Sequence, residues 1–184
     1  NLWNIAPNTR PYMTSGYKEY GVAINPLTTN VIVLTRPNPT NMLVVLDPLT
    51  GAEKHYIEYS ALGASGFNKV DVADDGIIYV CNQTSDTVTT PFKIYGLSDE
   101  GPIPALTGQL YRGDPGNGQT YKTDFWGRTM AVRGSGPNTQ ILLAPGGATN
   151  KTIAIMTTDL SGLFTSTAIT IPTAPAGFAR LGLD

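Results

Sequence analysis

NKVDVADDGIIYVCNQTSDTVTTPFKIYG, residues 68–96, is the stretch whose reading decides the fold. Val70 and Val72 alternate with polar neighbours, Ala73-Asp74-Asp75-Gly76 supplies a tight turn, and Ile77 to Cys81 is a second apolar run. A polar loop separates it from a third run, Phe92 to Tyr95. Short apolar runs divided by turn residues predict an antiparallel meander, because each turn reverses the chain and lays the next run against the last.

Outward from this stretch the same pattern recurs. Upstream, Gly21–Ile24, Val31–Thr35, Met42–Leu46 and His55–Tyr59 read as strands, with Asn25-Pro26-Leu27-Thr28 and Asp47-Pro48-Leu49-Thr50-Gly51 as turns. The central unit holds Lys69–Val72, Ile77–Cys81, Phe92–Tyr95 and Gln109–Arg112. Downstream, Thr129–Arg133, Gln140–Ala144, Thr152–Thr157 and Thr167–Ile171 complete a third unit, with turns at 134–138, 145–147 and 159–162. Leu2 to Ala6 reads as a further short strand, and Gly177 to Leu183 as the first strand of a fourth unit. Four-stranded units recurring at about 45–60 residues are the blade pattern of a β-propeller. The expected fold is therefore all-β and propeller-like. Its blades span 20–60, 68–113 and 126–172, with partial strands at 1–7 and 177–184. A β-sandwich would also give short alternating strands; the repeated first strands VAIN, VDVA, MAVR and ARLGL, each leading into a turn, favour blades.

Closed propellers use about 4–8 blades. Three blades and loose terminal strands would leave an incomplete ring with open edges and an uncovered apolar face, surfaces that pair with other chains. The chain is thus expected to be part of a larger propeller, completed by its remaining blades, or a subunit completed by assembly into a homo-oligomer.

Composition points to the same class. Of 184 residues 41% are hydrophobic but only 14% charged, with a net charge of −2, against roughly 25% charged in an average soluble domain. The polar surface must come from Thr, Asn, Ser and Gly, which fits a secreted or cell-surface β-protein better than a cytosolic enzyme. No basic patch marks a nucleic-acid partner. No apolar run approaches the roughly 20 residues of a spanning helix. The single cysteine, Cys81, reads as a small buried strand residue, and it excludes an internal disulfide. The chain begins at Asn1 with neither a Met nor a leader-like segment, as a processed or excised chain would.

The stretches VADDGIIYVCN, PFKIYG, RGDP, WGRTMAVRGSGPNTQILLA, TTDLSGLF and GFARLGLD together resemble a family of secreted bacterial propeller-like domains without an assigned function. The resemblance covers most of residues 20–184. It implies a place in a large extracellular protein, beside adhesion or carbohydrate-binding modules. It carries no catalytic residue.

Few residues suggest chemistry. Asp71, Asp74 and Asp75, in the pattern D-x-x-D-D-G, are the one candidate calcium site. Their spacing is not that of an EF-hand loop, and a hairpin turn accounts for them. Asp47, Asp114 and Asp159 read as turn caps. Residues 158–164, TDLSGLF, loosely match the Asp-box turn of sialidase-like propellers, where the aspartate serves folding. His55 is the only histidine, and no G-x-S-x-G accompanies it, so neither a hydrolase triad nor a histidine-rich metal centre is expected. Arg112-Gly113-Asp114 spells an adhesion tripeptide that chance also supplies. Asn82 and Asn150 open glycosylation acceptor triplets. Trp126 with Tyr121, Arg128 and Arg133 is the group that would stack on and bind a glycan.

The expected function is a non-catalytic extracellular module acting in self-assembly or surface protein interaction. A carbohydrate-binding module is the alternative. An enzyme, a lyase or hydrolase, would draw its acid and base from Asp71, Asp75 and Glu100.

Overall fold

The computed structural model describes residues 3–16, 19–36, 42–57, 66–118, 125–146 and 151–173. Among them lie twelve strands in three antiparallel sheets of four. The first sheet is β1 (Glu19–Ile24), β2 (Val31–Thr35), β3 (Met42–Leu46) and β4 (Glu53–Ile57), hydrogen-bonded in chain order. The second is β5 (Phe67–Val72), β6 (Ile78–Asn82), β7 (Phe92–Leu97) and β8 (Leu106–Gly113). The third is β9 (Thr129–Arg133), β10 (Gln140–Ala144), β11 (Thr152–Thr158) and β12 (Phe164–Thr170). A single 3-10 turn, Gly136–Asn138, is the only helical element among the described residues. The sheets are consecutive meanders stacked as propeller-like blades, and the described residues close no ring.

The stacking follows from which faces are apolar. Successive strand residues point to opposite faces. Blade one therefore turns Ile32, Leu34, Leu43, Val45 and Ile57 one way, onto Val70, Val72, Ile78, Val80 and Leu97 of blade two. Blade two's other face, with Tyr79, Cys81, Phe92 and Ile94, meets Met130, Ile141, Leu143, Ala154, Met156 and Phe164 of blade three. Residues 78–81, IYVC, are all buried because blade two is covered on both sides. This is why its second strand reads as an unbroken apolar run rather than an alternation. Each such side chain contributes about 1.5–3 kcal/mol by leaving water.

The first strands β1, β5 and β9 lie side by side in order. Their approach is close: a Cβ on Gly21 would stand 3.0 Å from the Val70 nitrogen. Lys69 Nζ donates to the Tyr20 carbonyl at 2.6 Å across the same gap. The Arg36 guanidinium spans the blade one–blade two joint, donating to the carbonyls of Gly66 and Phe67 while lying 4.2 Å over the Tyr20 ring.

Several sequence expectations need correction. Residues 3–6 form no strand. Trp3 donates its indole N–H to the Pro48 carbonyl at 2.8 Å, and its ring fills the space above Gly51. Trp3, Ile5, Tyr12 and Met13 lie over Val31, Val33, Val44 and Leu46, the outer face of blade one. Residues 3–16 are thus a cover for that face, and the short strand expected at the amino-terminal end is not formed by its described residues. β4 starts at Glu53 instead of His55, because pairing resumes as soon as the Asp47–Gly51 turn closes, with a register irregularity at Val45/Leu46. β12 starts at Phe164 instead of Thr167, because Thr158 pairs with Phe164 directly across the Asp159 turn. The strand expected over Gly177 to Leu183 lies outside the described residues.

Candidate functional site

The six hairpin turns, 25–30, 47–52, 73–77, 98–105, 134–139 and 159–163, share one rim. Within each blade the register puts the last residues of the first and third strands beside the first residues of the second and fourth. The candidate carboxylates gather at this rim, where the aspartates are held by backbone amides and Glu100 by side-chain amides and a hydroxyl.

Asp71 Oδ2 accepts the Val132 N–H at 2.6 Å and Oδ1 the Val72 N–H at 2.9 Å. Asp74 Oδ2 accepts from the Gly134 N–H at 3.0 Å, while the Asp74 N–H donates to the Gly134 carbonyl at 2.9 Å. Asp75 Oδ2 accepts from the Gly136 N–H at 2.7 Å. The D-x-x-D-D-G motif is thus a clasp from blade two to β9 and the β9–β10 turn. Burial pushes the Asp71 carboxyl above its ordinary range, and the two amide hydrogen bonds offset part of that. The three carboxylates are strung along the clasp rather than gathered on one point. Among the described residues no group of three or more His, Cys, Asp or Glu is placed to hold a metal ion.

Glu100 makes the matching clasp from blade two to blade one. Its Oε2 accepts from Asn25 Nδ2 at 2.8 Å and Thr28 Oγ1 at 3.0 Å, and its Oε1 accepts from Asn30 Nδ2. His55 Nε2 stands 2.5 Å from the Glu100 carbonyl oxygen. The three carboxylates weighed as acid and base therefore divide between two joints: Asp71 and Asp75 at one, Glu100 at the other. The turn caps hold as read. Asp47 and Asp159 each gather neighbouring amide and hydroxyl protons, from Thr50 foremost and from Ser161 foremost, which keeps both carboxyls below the usual range. Asp114, the last residue of the adhesion-like tripeptide, accepts from the Gly116 and Gly118 N–H groups at 3.0 and 2.9 Å.

Of the aromatic and basic group, the described members Trp126, Arg128 and Arg133 do not assemble as a sugar platform. Trp126 is 5% exposed and packs in the core between blades two and three, its backbone paired with Thr84. Arg128 and Arg133 flank opposite ends of β9. The Arg128 guanidinium lies 4.2 Å over the Phe125 ring. Arg133 donates twice to Gln140 Oε1, at 3.0 and 2.7 Å. Tyr121 and Asn150 lie outside the described residues. Asn82 clamps its own loop, donating to the Pro91 carbonyl at 3.1 Å and accepting from the Lys93 N–H at 2.7 Å. Cys81 is fully buried, and desolvation pushes its thiol up to about 12.

The two flanks differ. Blade one's outer face lies beneath residues 3–16. On blade three, Ala131, Leu142 and Ile155 stand opposite one another across β9, β10 and β11, facing away from blade two. They are half-buried, belong to none of the three buried clusters, and line a depression of about 200 Å³. Ile153 and Ile169 extend the same face. The covered flank could have been read from VIVL and LVVL, whose consecutive apolar residues require partners on both sides of β2 and β3.

No protein-family model and no curated protein matches the chain. Among solved structures it is similar to hydrazine synthase of Kuenenia stuttgartiensis, with 11% identity and a TM-score of 0.53, over 94% of this chain. The chain spans 39% of the length of that one. At this identity the likeness is one of fold alone.

Proposed function

We propose that the chain is a non-catalytic interaction module of an extracellular or cell-surface protein, and that it associates through the outer face of its third blade. The observation that carries this reading is the apolar row Ala131, Leu142 and Ile155, continued by Ile153 and Ile169, on a sheet whose other face is fully packed. The motif resemblance to secreted bacterial propeller-like domains supports it, as does the low charge. The carboxylates support it too, since those best placed for chemistry are engaged by amides at the blade joints.

The partner offers a flat apolar sheet, either a further blade of a larger protein or a second copy of this chain. In the second case the face meets its own counterpart. Docking on blade one of the neighbour would first have to displace Trp3, Ile5 and Tyr12.

The test compares the chain with Leu142→Asp/Ile155→Asp by sedimentation velocity across the micromolar range. Concentration-dependent association in the parent, lost in the variant while both keep the same unfolding midpoint, is the expected result. A parent that stays monomeric and gains nothing in solubility from the substitutions would refute the proposal.

A further inference from the structure

A different surface, the rim of hairpin turns, has features that folding does not require. Each blade places one large aliphatic residue at its β3–β4-type turn: Leu49 at 70% exposure, Ile103 at 80% and Leu160 fully exposed. Leu27, on the first blade's β1–β2 turn, is 66% exposed. Turn geometry here needs the aspartate caps and glycines, not these side chains, and turns are ordinarily polar. Between blades two and three the rim opens into a cleft of about 560 Å³. Its apolar lining includes Ile77, Tyr79, Leu110 and Pro137, and Leu160 and Asp159 stand with them. That volume accepts one or two large side chains.

The charge around this rim is predominantly negative. The six turns carry Asp47, Asp74, Asp75, Asp99, Glu100 and Asp159, and no Lys or Arg. Hydrogen bonds from turn hydroxyls and amides hold Asp47, Asp99 and Asp159 below the usual carboxylate range, so these stay ionised. Arg10, Lys54 and Arg133 stand near this rim, each engaged by a neighbour, with Glu53, Asn30 and Gln140 respectively, while Arg36, Lys93, Arg112, Arg128 and Lys151 lie toward the opposite rim. An acidic surface studded with aliphatic anchors selects a partner of opposite charge that also brings apolar side chains.

We infer that this rim docks a basic polypeptide segment, which seats an apolar side chain in the cleft between blades two and three. The surface is separate from the outer face of blade three, so neither proposal depends on the other.

The probe is a fluorescein-labelled peptide of alternating Lys and Leu pairs, read by anisotropy against the intact chain. Glu/Leu and Lys/Ser peptides of equal length are the controls. The Lys/Leu peptide should bind about tenfold more tightly than either control, and lose most of that advantage as salt shortens the screening length below about 10 Å. Leu160→Ser/Ile103→Ser should weaken it about tenfold with an unchanged unfolding midpoint, since both side chains are exposed. Equal binding of the Glu/Leu peptide would overturn the inference by showing a merely sticky surface, and equal binding of the Lys/Ser peptide by showing charge alone. An undiminished affinity in the double variant would place the site elsewhere. Self-association abolished by the double variant, without probe binding, would also overturn it, because the rim would then receive the opposite, cation-bearing rim of a second copy.

Discussion

Replacing Asp71 by alanine should loosen the joint between the second and third blades. The carboxylate accepts the Val132 N–H at 2.6 Å in a half-buried position. Without it, an amide of β9 that points away from its own ladder has no acceptor between two packed sheets. Hydrogen bonds to charged groups are worth about 1.5–3 kcal/mol, and an orphaned buried donor costs a similar amount, so the expected loss is about 2–3 kcal/mol. In a domain of this size that lowers Tm by about 4–12 °C. Asp71→Asn keeps a carbonyl oxygen for Val132 and should lose only about 1 kcal/mol. The pH dependence adds a second check. Burial raises the Asp71 pKa in the fold, so its favourable contribution is complete below the unfolded-state value and is lost as pH rises through the folded-state value. The stability of the parent relative to Asp71→Asn should therefore be greatest in acid and decline toward neutrality. Urea titrations of the parent and both variants, at acidic and neutral pH, measure these differences. An alanine variant within experimental error of the parent, or an asparagine variant as damaged as alanine, would refute the clasp; a gap that widens toward neutrality would refute the dominance of burial over its hydrogen bonds.

Three further outcomes follow from the same joints and covers. Glu100→Ala should cost about 2–3 kcal/mol in denaturant unfolding, because Asn25 and Asn30, 3% and 4% exposed, lose the acceptor of their amide groups; a neutral outcome would show that the hub is ornamental. Gly51→Ala should free the amino-terminal cover, since φ is +68° and the new Cβ would lie 2.6 Å from the Trp3 ring; limited proteolysis between residues 3 and 16 should accelerate while cleavage elsewhere is unchanged, and an unchanged cleavage rate there would contradict the packing. Cys81 should resist a thiol-specific disulfide reagent in the native state and react only on unfolding, given its complete burial and a thiol pushed up to about 12; rapid native labelling would contradict the placement of β6.

The strands were legible because turn chemistry is local. Asp47-Pro-Leu-Thr-Gly and Ala73-Asp-Asp-Gly state their reversals within a few residues, and β2, β3, β9 and β10 fall where alternation and turns put them. β4 and β12 began earlier than expected because ladders extend to the turn whatever the side chains, and Glu53, Lys54, Thr165 and Ser166 look like loop. What stayed illegible was long-range. The carboxylates of Asp71, Asp74 and Asp75 find amides about sixty residues away, and backbone donors have no signature in sequence. Trp126 looked like a loop aromatic because the Thr84 bridge that buries it is non-local. The cover formed by residues 3–16 was hidden for the same reason: packing on a sheet face leaves no hydrogen-bond periodicity to detect.

Because the aspartates of blade two grip the main chain of blade three, that clasp does not depend on which side chains Val132 and its neighbours carry. The strand and turn that present those groups could then drift in sequence without this clasp having to be reinvented, as long as three amides arrive at the right height. A molecule joined in this way would retain its architecture long after recognisable similarity between its parts, or with its relatives, had worn away.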